Sequence, residues 1–312
     1  MKAVSYSEGK VFTTEIEKPK GDGVLVNISS AGICGSDLHL LNAGVHSPHV
    51  AGHEIAGLTS NGIPVAIEPI ISCQSCDSCK KGDYHLCKEE FYGMGMSING
   101  GMTEQIIVPE HCLVPLDKKI FLKDACLIEP LAVALHGFIR TNTKSNHRVA
   151  VIGSGTIGLA VVAAAKFIGC KVDLHARYDH QKEAGEKLGA GSLEGLYDRV
   201  FDCVGTKETL NLSVRTAKPG SWVVLLGIPM EGIVLPGLKT IMNEIKLFPS
   251  IMYGASSGIK DFEQAAKLLA LNPDIGNTMI THRFSLEDSK EAFRVAQDKS
   301  SKSIKVVFDP KA

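Results

Sequence analysis

The run VAVIGSGTIGLAVVAAAKFIG at residues 149–169 constrains this chain more than any other feature. An apolar strand enters a turn made of Gly153, Ser154, Gly155, Thr156, Ile157 and Gly158, and the turn opens an apolar helix. Glycines at these spacings let the backbone approach a pyrophosphate, whose charge is met by free amides at the helix N-terminus. A lone GxGxxG is weak evidence, but this one sits in a strand–turn–helix, the context that the fingerprint needs. The same texture continues downstream. Strand-like stretches at 171–176, 199–204 and 221–227 alternate with helix-like stretches at 180–188 and 210–216, which predicts a doubly wound parallel sheet of α/β class. Residues 1–120 differ: short β-type runs at 24–29, 64–67 and 105–108 are broken by glycine and proline, predicting an irregular β domain. The helix-like stretches 259–270 and 286–296 and a last strand at 304–309 complete the chain, and 312 residues suit about two domains.

The second strong signal is Cys73, Cys76, Cys79 and Cys87 in SCQSCDSCKKGDYHLC. Four thiolates on one short loop can close a tetrahedron around zinc and leave no open position, which describes a structural site. The chain starts without the apolar core of a secretory signal, so crowded cysteines point to metal before disulfides and to a cytoplasmic protein. The charge balance of 33 basic against 34 acidic residues argues against nucleic acid, and no stretch reads as a membrane span. Cys112, Cys126, Cys170 and Cys203 lack metal spacing and read as buried small hydrophobes.

A third constellation is dispersed: Cys34 in GICGSDLH, His53 and Glu54 in AGHE, and Glu129 in IEPLAVALHG. One thiolate, one imidazole and carboxylates can hold a zinc with a coordination position open for substrate. Taken singly, each has an ordinary structural explanation, Cys34 as a buried cysteine and His53 as a satisfied core histidine.

Taken in order, GICGSDLH, GHE, the four-cysteine loop, EPLAVALHG and GSGTIG resemble the zinc-dependent medium-chain alcohol and polyol dehydrogenase family over essentially the whole chain, with EPL similar to its sorbitol and threonine dehydrogenase branches. The resemblance implies that Cys34, His53 and Glu54 bind or line a catalytic zinc and that Glu129 approaches the metal or its water. It implies that Ser36 and His39 relay the proton released when the carbinol hydrogen leaves as hydride. It also implies a Rossmann domain at 121–276, a GroES-like domain at 1–120 with 277–312 carrying both zincs, and a homo-oligomer, dimer or tetramer. Substrate is then expected in the cleft between the two domains.

Counting back from the family-like KLGA at 187–190 puts Ala176, followed by Arg177, where an acid usually takes the ribose 2′-hydroxyl of NAD. A small residue plus arginine makes room for a 2′-phosphate and supplies its charge partner, so NADP is favoured over NAD. The alternative keeps Arg177 against the adenine and gives the ribose of NAD to Asp179, while Asp173 lies too early in its strand. Val204 and Gly205 of DCVG and Gly227 of LLGI end apolar strands whose carboxyl ends should face the cofactor.

The chain departs from the family in two connections. AGLTSNGIPVAIEP lacks the usual longer hairpin, and EGLYDRVFDCVG follows the KLGA helix early. The expected reaction is oxidation of a secondary alcohol, polyol or sugar-derived hydroxyl to a ketone. The alternatives are a threonine or amino-alcohol dehydrogenase and a catalytically silent relative that only binds NADPH.

Overall fold

A computed structural model describes residues 1–229 and 232–311. The chain divides into two compact units, Met1–Glu129 together with the chain from Gly254 onward, and Pro130–Tyr253. The sequence placed these boundaries near 120 and 277. In the structure, residues 121–129 and 254–276 go with the first unit because hydrogen bonds hold them there. Ser30 Oγ donates to the Leu122 carbonyl at 2.9 Å and accepts from the Cys126 amide at 3.2 Å, and the Ala255 amide donates to the Gly82 carbonyl at 2.8 Å.

The first unit is built on a seven-stranded sheet. Its strands run in the order Ile280–Phe284, Lys305–Phe308, Val24–Gly32, Glu54–Thr59, Pro64–Ile67 and Leu113–Pro115, with Gln105–Val108 also paired to Val24–Gly32. Pairing is antiparallel except between Ile280–Phe284 and Lys305–Phe308. Val26, Ile28, Ile55, Ile67, Val306 and Phe308 turn inward onto one apolar core with Phe293 of the helix Ser289–Gln297. Two features of the sheet matter for chemistry. Gly32 pairs with Glu54 and also lies opposite Val307, so the ends of three strands meet beside Cys34 and His53.

The second unit is a six-stranded, wholly parallel sheet in the order Gly191–Ser192, Lys171–His175, Arg148–Ile152, Tyr197–Asp202, Ala217–Leu225 and Lys246–Pro249. Its central strand Arg148–Ile152 is apolar and buried from Val149 onward because both faces are covered. The strand order reverses between Arg148–Ile152 and Tyr197–Asp202, the switch point at which ligands of such sheets bind.

The third strand in this series, Gly191–Ser192, is a stub of two residues, and only 193–196 connect it to Tyr197 on the far side of two strands. The early arrival of EGLYDRVFDCVG thus appears in space as a crossover with no helix. A polar knot centred on buried Asp173 and Tyr197 holds the short connection. Arg148 donates to the Glu194 carbonyl at 2.8 Å and to Asp173 at 3.3 Å, while the Tyr197 hydroxyl donates to Asp173 at 3.0 Å. Asp173, too early in its strand for a ribose ligand, is occupied inside this knot.

The stretches placed from the sequence fall within a few residues of observed elements, while others, such as the helix Ile128–Arg140 and the strands Lys2–Ser7 and Ile280–Phe284, have no counterpart there. The short helix Gly237–Met242 and the edge strand Lys246–Pro249 have no counterpart in the sequence reading.

Candidate metal centres and cofactor crevice

The four-cysteine loop is closed by its own backbone. The Cys76 amide donates to Cys73 Sγ at 3.3 Å, and the single helical turn Asp77–Lys80 brings Cys79 back toward Cys73. Sulfur–sulfur separations are 3.8 Å for Cys73 to Cys79, 3.8 Å for Cys76 to Cys87 and 3.5 Å for Cys87 to Cys73. A tetrahedron with zinc–sulfur bonds of about 2.3 Å has edges of about 3.8 Å, so these thiols are spaced for zinc and far too distant for disulfides. The backbone amides of Ser75 and Cys76 hold the Cys73 thiol down to about 6, which favours the thiolate that a metal needs. Burial instead pushes Cys79 up to about 12.

Beneath this loop lies a network that sequence reasoning missed. Glu68, 2% exposed, accepts from the Tyr84 hydroxyl and from Lys260 Nζ at 2.5 Å; Lys260 also donates to the His111 carbonyl at 2.6 Å. Burial raises the Glu68 pKa and Lys260 opposes it. A glutamate inside the apolar run 65–71 was the available signal.

The dispersed set converges as well. Cys34 precedes the helix Gly35–Asn42, His53 precedes the strand Glu54–Thr59, and ligand atoms of Cys34, His53 and Glu54 lie within 4.8 Å of one another. Glu129, buried in the first turn of the helix Ile128–Arg140, falls outside that group of three but acts on its charges. Burial pushes its carboxyl up to about 7, with the charge of Glu54 adding to the rise and His53 opposing it. Burial alone would lower His53; the charges of Cys34, Asp37 and Glu129 overcome it and raise the imidazole pKa well above its ordinary value. Several anions converging on one buried imidazole make a place that calls for positive charge. His53 Nδ1 has no hydrogen-bond partner among the described residues and stands 3.9 Å from Asp37. The donor set of thiolate, imidazole and carboxylate fits zinc.

Lys305 is the residue here that motif reading did not find. Only 2% exposed, it donates to both carboxylate oxygens of Glu54, at 2.6 and 2.7 Å, and to the Ile33 carbonyl at 2.9 Å. Gly32 makes the room, since a Cβ there would stand 1.9 Å from Glu54 Oε2. A lysine that opens the apolar strand KVVF was the signal. Ser36 Oγ lies 3.4 Å from His53 Nε2, and exposed His39 follows three residues later on the same helical face.

In the second unit, Gly153 adopts φ +97, and a Cβ on Gly158 would meet the Gly153 carbonyl oxygen at 1.9 Å, so strand and helix approach at a distance only glycine permits. Gly155 caps the helix Thr156–Ile168, leaving the amides of Ile157 and Gly158 without intrahelical partners. Ser154 Oγ donates to Gln181 at 2.8 Å. Asp202 Oδ1 accepts from the amides of Val204 and Gly205, each at 3.0 Å, and the Gly227 amide donates to the Asp202 carbonyl at 2.9 Å, so one carboxylate residue orders both strand ends. Ala176 is half-buried just past the strand Lys171–His175, and the exposed Arg177 guanidinium lies over the Tyr178 ring at 5.5 Å. Asp179 begins the next helix, exposed. Cys112, Cys126 and Cys170 are buried; Cys203, expected among them, is half-buried beside the glycine turn.

Comparison with known proteins agrees with this architecture. Residues 20–118 match the alcohol dehydrogenase GroES-like domain and residues 191–270 match the zinc-binding dehydrogenase family. L-idonate 5-dehydrogenase of Vitis vinifera is 30% identical, over 92% of this chain and 87% of that protein. The crystal structure of L-idonate 5-dehydrogenase from Escherichia coli has a TM-score of 0.89 at 26% identity, covering 99% of this chain and 97% of the other. A zinc-binding dehydrogenase of Sinorhizobium meliloti, solved bound to NADP, has a TM-score of 0.86 at 27% identity, covering 99% of each chain. The chain belongs to the zinc-dependent medium-chain alcohol and polyol dehydrogenases, oxidoreductases of CH–OH donors that use a nicotinamide cofactor.

Proposed function

We propose that the chain holds two zinc ions, one structural at Cys73, Cys76, Cys79 and Cys87 and one catalytic at Cys34, His53 and Glu54, and that it interconverts a secondary hydroxyl of a polyol or sugar-derived acid with its ketone, using NADP in preference to NAD. The observation that carries this reading is the group of three different ligand types within 4.8 Å, its His53 and Glu54 buried, in a charge environment that raises the His53 pKa. When bound, zinc supplies Lewis acidity that lowers the pKa of the substrate hydroxyl, and the nicotinamide accepts the hydride.

The remaining work falls to the chain. Lys305 fixes the Glu54 carboxylate and offsets one of the buried negative charges. Ser36, 3.4 Å from His53, would take the hydroxyl proton, and exposed His39 on the same helical face would release a proton to solvent. Glu129 accepts a hydrogen bond from a substrate hydroxyl. Gly153–Gly158, Val204, Gly205 and Gly227 carry the pyrophosphate and the cofactor's sugar, and Ala176 leaves room beside the ribose. The names of relatives, L-idonate 5-dehydrogenase among them, support a substrate with neighbouring hydroxyls. A homo-oligomer is supported by Leu238, Ile241 and Met242, exposed on a helix that buries none of its residues. Nine free cysteines suit the cytoplasm.

The test is the initial rate of nicotinamide reduction by zinc-loaded protein across secondary alcohols, polyols, aldonic acids and threonine, with NADP and NAD in parallel. The expected result is turnover of a polyol or aldonic acid, faster with NADP. Turnover of threonine alone, or an equal rate with NAD, would overturn the substrate or the cofactor assignment respectively.

A further inference from the structure

A cavity of about 260 Å³ opens at the outer edge of the parallel sheet, walled by His175 and Ala176 at the end of one strand, by Lys182 and Glu186 of the helix Asp179–Lys187, and by Ser192 and Leu193 of the stub strand. It exists because the stub is so short. Gly191 and Ser192 pair with Asp173 and Leu174, after which pairing ends and the outer edge from His175 onward is bare. The helix cannot fill the gap, since Gly185 already packs so closely on Leu174 that a Cβ would lie 2.2 Å from Cδ2. Lys182 and Glu186, one turn apart, are therefore held on the side that faces the cavity.

We infer that this cavity is the pocket for the 2′-phosphate of NADP and that Lys182, with His175 and Ser192, is its specificity-determining cation, ahead of Arg177. The inference rests on the NADP reading and adds to it the residues that recognise the phosphate. Ala176 forms one wall, and it stands where an acid would otherwise hold the ribose 2′-oxygen, so a substituent on that oxygen is directed into the cavity. The volume accommodates a phosphate with several waters. Lys182 supplies a mobile ammonium and Ser192 a hydroxyl, both suited to phosphate oxygens. Arg177 does not line the cavity, and its guanidinium lies over Tyr178. Glu186 acts in the opposite sense. Its carboxylate lies 3.9 Å from Lys182 Nζ in an exposed pair, so it competes with the phosphate for that cation and repels the incoming charge.

The test compares binding of 2′,5′-ADP and 5′-AMP by calorimetry to the full chain and to Lys182→Met, Glu186→Gln and Arg177→Ala, with thermal unfolding confirming that each variant folds. The wild type is expected to bind 2′,5′-ADP at least tenfold tighter than 5′-AMP. Lys182→Met should remove about tenfold of that preference, the effect of one charge-assisted contact. Glu186→Gln should increase the preference, and Arg177→Ala should reduce it less than Lys182→Met does. A wild type that binds both nucleotides equally overturns the NADP reading and the pocket together. A wild type that discriminates, with Lys182→Met unchanged or with Arg177→Ala removing all preference, overturns the pocket and leaves the NADP reading standing.

Discussion

The two candidate metal centres share one unit but are assembled in different ways. The four cysteines at 73–87 come together through one loop, and a single helical turn with a few amide hydrogen bonds accounts for most of their geometry. The set of Cys34, His53 and Glu54 comes together only when separate strands pair. Glu54 lies opposite Gly32, Gly32 lies opposite Val307, and Lys305 reaches Glu54 because its strand joins that sheet. A slip of one residue in either register would turn Glu54 or Lys305 to the other face. A local site can be closed by the metal itself, whereas the dispersed one depends on the fold being present first.

That contrast makes graded predictions, beginning with the largest effect. Cys34→Ser and His53→Ala should each lower kcat by about a thousandfold or more while circular dichroism shows a folded protein, because they serve the open site and not the core. Unchanged kcat in either would remove that site from the account. Lys305→Met should come next. It leaves the buried Glu54 carboxylate without its cation and should destabilise the chain by about 3–5 kcal/mol; urea midpoints measure this, and a midpoint equal to wild type would show that Glu54 needs no partner. Lys260→Met, on the side of the local loop, removes one of two partners of Glu68 and should cost about 1–3 kcal/mol with the active-site chemistry intact. A larger loss there than at Lys305 would reverse the proposed order of dependence. Arg177→Ala is expected to be smallest, raising KM for NADP about two- to fivefold, as suits an exposed charge, with less change for NAD. Equal changes for both cofactors would take Arg177 out of phosphate recognition.

How much of this was legible from sequence follows the same division. The cysteine spacing and the glycine turn declare themselves because their chemistry is local, and the strand–helix alternation after residue 148 is legible because a buried parallel sheet needs continuous apolar strands. Lys305 and Glu68 were not legible. Each acts through a partner remote in sequence, Glu54 at a distance of 251 residues in the case of Lys305 and Lys260 at 192 in the case of Glu68, and no periodicity links such pairs. The short helix Gly237–Met242 was missed for another reason: it buries no residue and so shows no amphipathic face. The short EGLYDRVFDCVG connection could be seen in the sequence, but its consequence, a two-residue strand with a cavity beside it, depends on register.

The most direct test of the central claim, two zinc centres with separate roles, is zinc per chain by elemental analysis on wild type, Cys34→Ser with His53→Ala, and Cys76→Ser, measured alongside turnover. The account predicts two zincs in wild type. It predicts one zinc and no turnover in the Cys34 and His53 double variant, and one zinc with residual turnover in Cys76→Ser. Full turnover in a wild type holding one zinc, or retention of both zincs after loss of Cys34 and His53, would contradict it.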